Sequence, residues 1–592
     1  MTIDELKNLD TSKFTRAADG WSAVSNRAAA SRGRVDNEML GKLRGTQEGD
    51  AAKAALSDLD QLSANYRYIH SECGLIRTAL SGLAEELAAP QRKLKQALEE
   101  AQSLKFTVKS DGSVEYPKTA STPAPLVPTP AAPGAMPSLL KPDSTPDPNQ
   151  AKAQDIANRI GEALKEATEI DGRYARALAN LNTDGNLKNT DLKDVASDVR
   201  DVRAAAGKHF SDSKIPKGKS PKENAQWWKN LPQAERDEYT ALYPASIGAL
   251  DGLPAAVRDE ANRIVLTDAR AQVEAEYNAL TAHPPTHYRK RMNARFGRRT
   301  GPEEETPEWK RWESEREELK KRMGALDSIS SRFGKPGQPE AYLLSFDTEK
   351  LGHAALSIGN PDTADNVAAY VPGTYAKLDG ISGDIDRAER LYGAARRAAP
   401  GSTTASLVWV GYDAPQDILL EATQEKYANH AKGSLDRFVT GLDEARQGGP
   451  ANVTLIGHSY GTLVVGKAMA ENHDLPVNHA VMVASPGVGV DHARELGIPA
   501  KDVWAATASN DLINLAPSPR SLLMPSIFGP LFDDHSIMYG NDPTSDEFGG
   551  STFHVADGKA PLTHGELLPA HSQYWEGESL IHLGNIVAKG KS

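Results

Sequence analysis

Residues 452–468 read Asn-Val-Thr-Leu-Ile-Gly-His-Ser-Tyr-Gly-Thr-Leu-Val-Val-Gly-Lys-Ala. The apolar and β-branched run Val453–Ile456 predicts a strand, and the small and apolar residues after Gly461 predict a helix. Between them Ser459 stands at the apex of a tight turn, Gly-His-Ser-Tyr-Gly. The stretch therefore predicts strand, turn and helix in succession, the unit from which α/β sheets are built.

The spacing Gly-x-Ser-x-Gly resembles the nucleophile elbow of α/β-hydrolases. A serine on a strained turn has its hydroxyl projected clear of the sheet, and Gly457 and Gly461 have no Cβ, so strand and helix can close on each other. The amide of Tyr460 would then point at the oxygen of a reacting carbonyl. We interpret Ser459 as a candidate nucleophile; an ordinary glycine-rich turn is the alternative.

Length, charge and cysteine content bound the class of protein. A chain of 592 residues is too long for one core, so two to four domains are expected. The formal net charge of −12 does not suggest a nucleic-acid binder, and a single cysteine, Cys73, excludes an intrachain disulfide. No apolar window reaches the length of a membrane span, and residues 1–7 do not resemble a signal peptide. We expect a soluble cytoplasmic protein, or one exported without a classical signal.

Composition divides the chain into four parts. Long amphipathic patterns and an alternating segment around Asp111-Gly112 predict helices followed by a β-hairpin, whereas a stretch with ten prolines predicts an extended linker. The parts are a helical domain with a small β-hairpin (1–116), the proline-rich linker (117–148), a helical region leading into the core with a charged helical insertion near 283–326 (149–335), and the catalytic domain (336–592).

Short apolar runs mark the strands of the catalytic domain. Tyr342–Phe346 and Ala354–Ile358 predict an opening antiparallel pair. The further strands are expected at 366–371, 407–410, 453–456, 479–484 and 503–507, with a helical stretch at about 417–446 and a final helix at about 579–588. Alternation of strands with helices predicts an α/β-hydrolase fold with a mainly parallel sheet, preceded by all-α domains. Ligands bind outside the carboxyl ends of such strands.

A serine nucleophile needs a base and an acid that orients the base, in the chain order serine, acid, histidine. Asp511 lies just past a predicted strand end and is the candidate acid; Asp491 and Asp502 compete with it. His571 lies in a loop before the final helix and is the candidate base. The other histidines in this part of the chain are His492, His535, His554, His564 and His582, of which His564 is the runner-up.

The oxyanion hole needs a second amide besides that of Tyr460. Gly373 or Thr374, in the loop after an early strand, is expected to supply it. His458 and Tyr412 are candidate substrate-binding residues. The apolar excursion 516–550 predicts either a lid or a packed surface loop. We expect no metal and no cofactor, since a serine triad needs neither and the histidines and acids lack ligand spacing.

Several segments between about 220 and 592 resemble one family. They are similar to segments of the DUF1023 α/β-hydrolases of actinobacteria. The similar segments are the block from Gln226-Trp-Trp to Arg263, Val371-Pro-Gly-Thr, Gly411-Tyr-Asp-Ala-Pro, the elbow and the late His571-Ser-Gln-Tyr-Trp. The resemblance implies a serine hydrolase, esterase- or lipase-like, that cleaves a carboxylic ester through an acyl-enzyme. Its substrate would be a small-molecule or lipid ester.

The helical N-terminal region resembles the WXG100 (ESX-type) proteins, with Leu43 where their motif has tryptophan. This resemblance implies a helical protein partner. It supports a second hypothesis, an interaction protein associated with type VII secretion or the cell envelope, whose hydrolase domain is cargo or inactive.

Overall fold

The computed structural model describes residues 1–40, 43, 49–117, 148–181, 192–207, 210–293, 298–333, 338–418, 420–511, 536–559 and 570–592. Nearly all of the predicted linker lies outside these residues. The chain forms two compact units. The first comprises Met1–Arg27, His70–Asp184 and Asp198–Ser211; the second comprises Ala28–Ile69, Gly185–Ser197 and Asp212–Ser592.

Helices dominate the part of the chain before residue 335. Their bounds are α1 Ile3–Asn8, α2 Ser12–Arg34, α3 Asp50–Ser103, α4 Pro148–Asn180, α5 Leu192–Ala206, α6 Pro221–Asn230, α7 Gln233–Leu242, α8 Pro244–Gly248, α9 Ala255–Ala282 and α10 Pro307–Ser330. Those of the C-terminal half are α11 Ile381–Ala398, α12 Lys426–Glu444, α13 Gly461–Glu471 and α14 Gly577–Lys589. Among the described residues, no helix is both long and apolar enough to cross a membrane.

In the first unit, α4 packs antiparallel on the part of α3 after His70. Tyr174 donates to Glu86 at 2.7 Å, Lys93 pairs with Glu166 at 2.7 Å and Arg159 pairs with Glu100 at 2.5 Å. The partners advance by seven residues along α3 and recede by about seven along α4, which is the heptad step of a coiled coil. The ion pairs are largely exposed and add little; the buried stripe of leucine, isoleucine and alanine between the helices supplies the stability.

The second unit contains an eight-stranded sheet. Its strands in chain order are β5 Ala341–Asp347, β6 His353–Ile358, β7 Asn366–Val371, β8 Thr404–Val410, β9 Asn452–His458, β10 His479–Val483, β11 Val503–Ala506 and β14 Ser551–Thr552. Three small hairpins supply the remaining described strands: β1 Thr107–Val108 with β2 Val114–Glu115 in the first unit, and β3 Tyr288–Asn293 with β4 Arg298–Glu305 and β12 Ser536–Ile537 with β13 Gly540–Asn541 in the second.

The order across the large sheet is β14-β11-β10-β9-β7-β8-β6-β5. Only β6 runs antiparallel to its neighbours, β5 and β8; every other pair is parallel. All residues of β7 and β8 are buried, and because successive side chains point to opposite faces, both faces of the sheet are covered. The predicted α/β class, the mainly parallel sheet and the opening antiparallel pair are confirmed.

Three details differ from the sequence prediction. The charged insertion is helical only from Pro307; before it, β3 and β4 form a hairpin in which Arg289 faces Glu304 and Lys290 faces Glu303. Pairs of opposite charge stabilise two adjacent strands as readily as they stabilise one face of a helix. The charge pattern alone therefore could not distinguish a hairpin from a helix. Helix α12 begins at Lys426 rather than near 417, and β14 adds a strand too short for its periodicity to be visible.

Candidate active site

The sequence Gly-His-Ser-Tyr-Gly forms a sharp strand-to-helix turn. Strand β9 ends at His458 and α13 begins at Gly461, so only two residues connect them. Ser459 has φ +56°, in the left-handed region that residues with a Cβ rarely occupy. Its amide donates to the carbonyl oxygen of Val483 on the neighbouring strand at 2.9 Å. The turn is strained at the serine itself, as the sequence analysis expected for a nucleophile elbow.

Both elbow glycines are required by close backbone approach. A Cβ on Gly457 would lie 2.6 Å from the Cα of Thr462, and one on Gly461 would overlap the carbonyl oxygen of Val371. The helix therefore passes too close to β9 and to the loop after β7 for a side chain at either position. This crossing explains the spacing of the motif.

Two buried hydroxyl groups, those of Thr462 and Ser485, stabilise the turn through hydrogen bonds. The hydroxyl of Thr462 donates to the carbonyl oxygen of Ser459 at 2.8 Å and lies 2.7 Å from the hydroxyl of Ser485. Ser485 in turn accepts the amide of Gly487 at 3.0 Å. These bonds occupy the backbone oxygen of Ser459 and stabilise its unusual conformation.

The predicted acid and base are in contact. Nδ1 of His571 lies 2.9 Å from both carboxylate oxygens of Asp511, and Asp511 is 2% exposed. A carboxylate can only accept here, so Nδ1 carries the proton and, in the neutral ring, Nε2 holds the lone pair. Asp511 follows the carboxyl end of β11, and His571 is the second residue of a 3₁₀ helix, Ala570–Trp575. A hydrogen bond between the Ser459 hydroxyl and His571 is absent from the described contacts.

Sequence reasoning did not assign a role to Tyr574. Its hydroxyl donates to Asp511 at 2.8 Å and accepts the amide of Ala508 at 2.8 Å. Tyr574 is 2% exposed. The signal was present in the order His-Ser-Gln-Tyr, because residues three apart share a face in a 3₁₀ helix.

His458 is buried beside the candidate base rather than in open space. Its Nε2 lies 2.7 Å from the backbone oxygen of His571, and the two rings are 4.8 Å apart. Since a carbonyl oxygen only accepts, Nε2 of His458 donates. Burial lowers the pKa of His458 well below its usual range, and the nearby His571 acts in the same direction. His458 is therefore a neutral donor at ordinary pH.

The loop after β7 lies directly against the elbow. A Cβ on Gly373 would come within 2.7 Å of the Tyr460 amide nitrogen and 2.8 Å of the Ser459 Cβ. Thr374 is half-buried next to it. Tyr412 is buried and donates to the carbonyl oxygen of Pro372 at 2.8 Å, which anchors the loop. Gly373 therefore lies against the elbow, and Tyr412 contacts the loop through its hydroxyl.

The side chain of Tyr460 ties the elbow to the segment after β8. Its hydroxyl donates to the oxygen of Gln424 at 2.5 Å and accepts the amide of Ala428 at 3.2 Å. The ring of Tyr539 meets that of Tyr460 edge-on at 6.0 Å, and its own hydroxyl donates to Ala422. The described end of the excursion 516–550 therefore packs near the elbow; residues 516–535 lie outside the described part.

The competing acids and histidines have other surroundings. Asp502 precedes β11, at the edge of the sheet opposite to Asp511, and Asp491 is exposed in the connection before β11. The remaining described histidines contact other groups: His492 bonds the carbonyl of Glu547, and His554 and His582 lie near Glu578. His535 and His564 lie outside the described residues.

Residues 347–520 match a protein family described as alpha/beta hydrolase. An uncharacterized protein of Mycobacterium tuberculosis (strain H37Rv) is 30% identical over 392 residues, which cover 63% of this chain and 56% of that protein. An uncharacterized protein of Mycobacterium bovis is 28% identical over 207 residues, 34% of this chain and 76% of that protein. The chain thus spans little more than half the length of the first relative.

Among solved structures, an esterase of Pyrobaculum calidifontis aligns with 46% of this chain and 92% of its own, at 12% identity and a TM-score of 0.25. A likeness this distant carries no argument about the reaction. The family match and the sheet order together confirm the predicted α/β-hydrolase fold for the C-terminal domain.

Proposed function

We propose that this chain, whose C-terminal half has the α/β-hydrolase fold, is a serine hydrolase that cleaves carboxylic esters through an acyl-enzyme. Ser459 is the nucleophile, His571 the general base and acid, and Asp511 the residue that orients the imidazole. The observation that carries the proposal is the hydrogen bond of His571 to the buried Asp511, in a segment that His458 bonds to the strand that ends in the strained Ser459 turn.

In the first half of the reaction, the Ser459 oxygen attacks the ester carbonyl carbon while Nε2 of His571 takes the hydroxyl proton. The tetrahedral intermediate then collapses. The bond to the alcohol oxygen breaks, His571 returns the proton to that oxygen, and the acyl group stays on Ser459. Asp511 stabilises the imidazolium formed between these two events because its charge lies 2.9 Å from Nδ1.

The second half repeats the chemistry with water. Nε2 removes a proton from water, the water oxygen attacks the acyl carbon, and the proton passes to the Ser459 oxygen as the carboxylic acid leaves. In both halves the carbonyl oxygen becomes negative. We assign its stabilisation to the amide of Tyr460 and to an amide of the Gly373–Thr374 loop, which packs against Tyr460 nitrogen.

We propose structural roles for His458 and Tyr412, in place of the substrate-binding roles predicted from the sequence. Both side chains are buried, and each donates a hydrogen bond to a backbone oxygen: His458 to that of His571 and Tyr412 to that of Pro372. We therefore assign them to shaping the catalytic groups and the oxyanion loop. The predicted helical partner of the N-terminal region stays a sequence prediction.

Hydrolysis of p-nitrophenyl acetate and butyrate tests the proposal. Wild type should release p-nitrophenol with an initial burst, and protein quenched in acid after the burst should carry one acyl group. The variants S459A, H571A and D511N should lose at least about a hundredfold in kcat/KM. D491N and D502N are matched controls, acids of the same region that should keep the wild-type rate. Equal activity of S459A and wild type would refute the proposal.

A further inference from the structure

We propose that Tyr574 is a positioning residue of this hydrolase, which holds the Asp511 carboxylate and limits its attraction for the protonated His571. This inference rests on the proposed function. It adds a buried tyrosine to the three triad residues, as the group that positions the acid.

The direction of the hydrogen bonds follows from their partners. The amide of Ala508 donates to the Tyr574 oxygen at 2.8 Å, so the phenolic hydrogen is directed away from that amide. The hydroxyl then donates to Oδ2 of Asp511 at 2.8 Å. Burial raises the pKa of Tyr574, and the neighbouring Asp511 charge acts in the same direction, so the phenol stays a proton donor.

One short helix delivers both donors to the same carboxylate. His571 and Tyr574 stand three residues apart in the 3₁₀ helix Ala570–Trp575, where side chains at that spacing lie above one another. Trp575 fixes the helix in the core: it is 1% exposed and meets Tyr370 edge-on at 4.6 Å. A shift of this helix would therefore move His571 and Tyr574 together.

The phenol changes the charge that His571 experiences. A donor on Oδ2 draws negative charge from the carboxylate, so the imidazolium is stabilised less than by a bare Asp511. Among the described residues, His458 lies beside the pair, since its ring is 4.8 Å from that of His571 and burial keeps it neutral, and the charge of Arg387 acts on His458. Neither can replace the hydroxyl on Oδ2.

The test is the pH profile of kcat for ester hydrolysis by the full chain. Y574F should fold, lose about tenfold in kcat with a smaller change in KM, and have the acid limb of its profile moved up by about one pH unit. Y342F is the matched control. Tyr342 is buried and donates to a carboxylate, Glu340, at 2.6 Å, but lies on strand β5, so its loss should leave the profile unchanged.

A second variant keeps the test decisive if Y574F does not fold. Introducing 3-fluorotyrosine at position 574 preserves the ring and strengthens the donor, so the acid limb should move to lower pH. An unchanged limb in the folded variants, with an active wild type and an inactive S459A, would overturn the role of Tyr574 alone. Equal activity of wild type and S459A would instead overturn the proposed function.

Discussion

Nε2 of His458 lies 2.7 Å from the backbone carbonyl oxygen of His571, although the two residues are 113 positions apart in the chain. His458 is the last residue of the strand that leads into Ser459. The bond therefore ties the two segments that bring the candidate nucleophile and the candidate base to one edge of the sheet. Neither the sheet nor the helices alone fix that relation.

Replacing His458 by phenylalanine should lower kcat by about 10- to 100-fold, because the carbonyl of His571 loses its donor and the loop can shift. H458Q is the matched variant, since its side-chain amide can still donate. We expect H458Q to retain more kcat than H458F, with both proteins folded by circular dichroism. Wild-type kcat in H458F would show that the bond does not position the base.

Gly373→Ala should reduce activity at least about a hundredfold and destabilise the protein. The added methyl carbon would lie 2.7 Å from both the His458 oxygen and the Tyr460 nitrogen, so the oxyanion loop must move away from the elbow. Gly383→Ala is the control, because nothing lies within 4 Å of its Cβ. Steady-state kinetics and urea unfolding measure both effects; full activity in G373A would contradict the assignment of this loop.

Ser459→Gly should unfold at higher urea than Ser459→Ala, although we expect both variants to be inactive. The left-handed conformation at φ +56° costs an L-residue roughly 1–2 kcal/mol, a cost that glycine avoids. The greater conformational freedom of glycine in the unfolded chain offsets about 0.5–1 kcal/mol of that gain in stability. The net gain in the free energy of unfolding is therefore between about 0 and 1.5 kcal/mol. An S459A protein as stable as S459G would argue that the turn carries no strain.

Asp362 predicts a pH dependence of stability. Burial raises its pKa from 3.8 to about 6, against the hydrogen bond from the Ala255 amide at 2.7 Å. Because the folded-state pKa lies above the unfolded value, the contribution is complete below pH 3.8 and is lost as pH rises through 6. Over that range D362N should lose about 3 kcal/mol less than wild type in the free energy of unfolding.

Asp365 should contribute a pH dependence of stability that is opposite in sign to that of Asp362. Hydrogen bonds from the Thr403 amide and hydroxyl lower the pKa of this exposed carboxyl. Its contribution is present above the unfolded pKa and disappears as pH falls through the folded one. Chemical denaturation should therefore show that the pH slope of D362N deviates from wild type between about pH 4 and 6, whereas that of D365N deviates in the opposite direction below about pH 4.

Local sequence was sufficient for the elements that carry their own pattern. Val453–Ile456 and the glycines at 457 and 461 required a strand, a turn and a helix, and the structure has them there. The order of serine, acid and histidine led to Asp511 and His571, which the fold brings into contact. The predictions of the elbow and of Asp511 rest on local spacing and on the fixed edge of a parallel sheet, whereas that of His571 rests on its late loop and on the resemblance of its segment to a known family.

What could not be predicted depends on long-range packing. The bond from His458 to His571 joins distant segments, and the bond from Tyr574 to Asp511 joins residues that are 63 positions apart. Strand β14 has two residues, too few for alternation to register. The segment Ala28–Ile69 belongs to the second unit, where Arg32 lies 3.9 Å from Asp259 of α9; no local pattern indicates such a pairing.

The most direct test of the central claim is labelling by a fluorophosphonate probe, followed by peptide mass spectrometry. We expect wild type to be labelled at Ser459, S459A and H571A to be unlabelled, and D511N to react far more slowly. The controls D491N and D502N should be labelled as wild type. Labelling at another residue, or no labelling of a folded wild type, would contradict the assignment of Ser459 as an activated nucleophile.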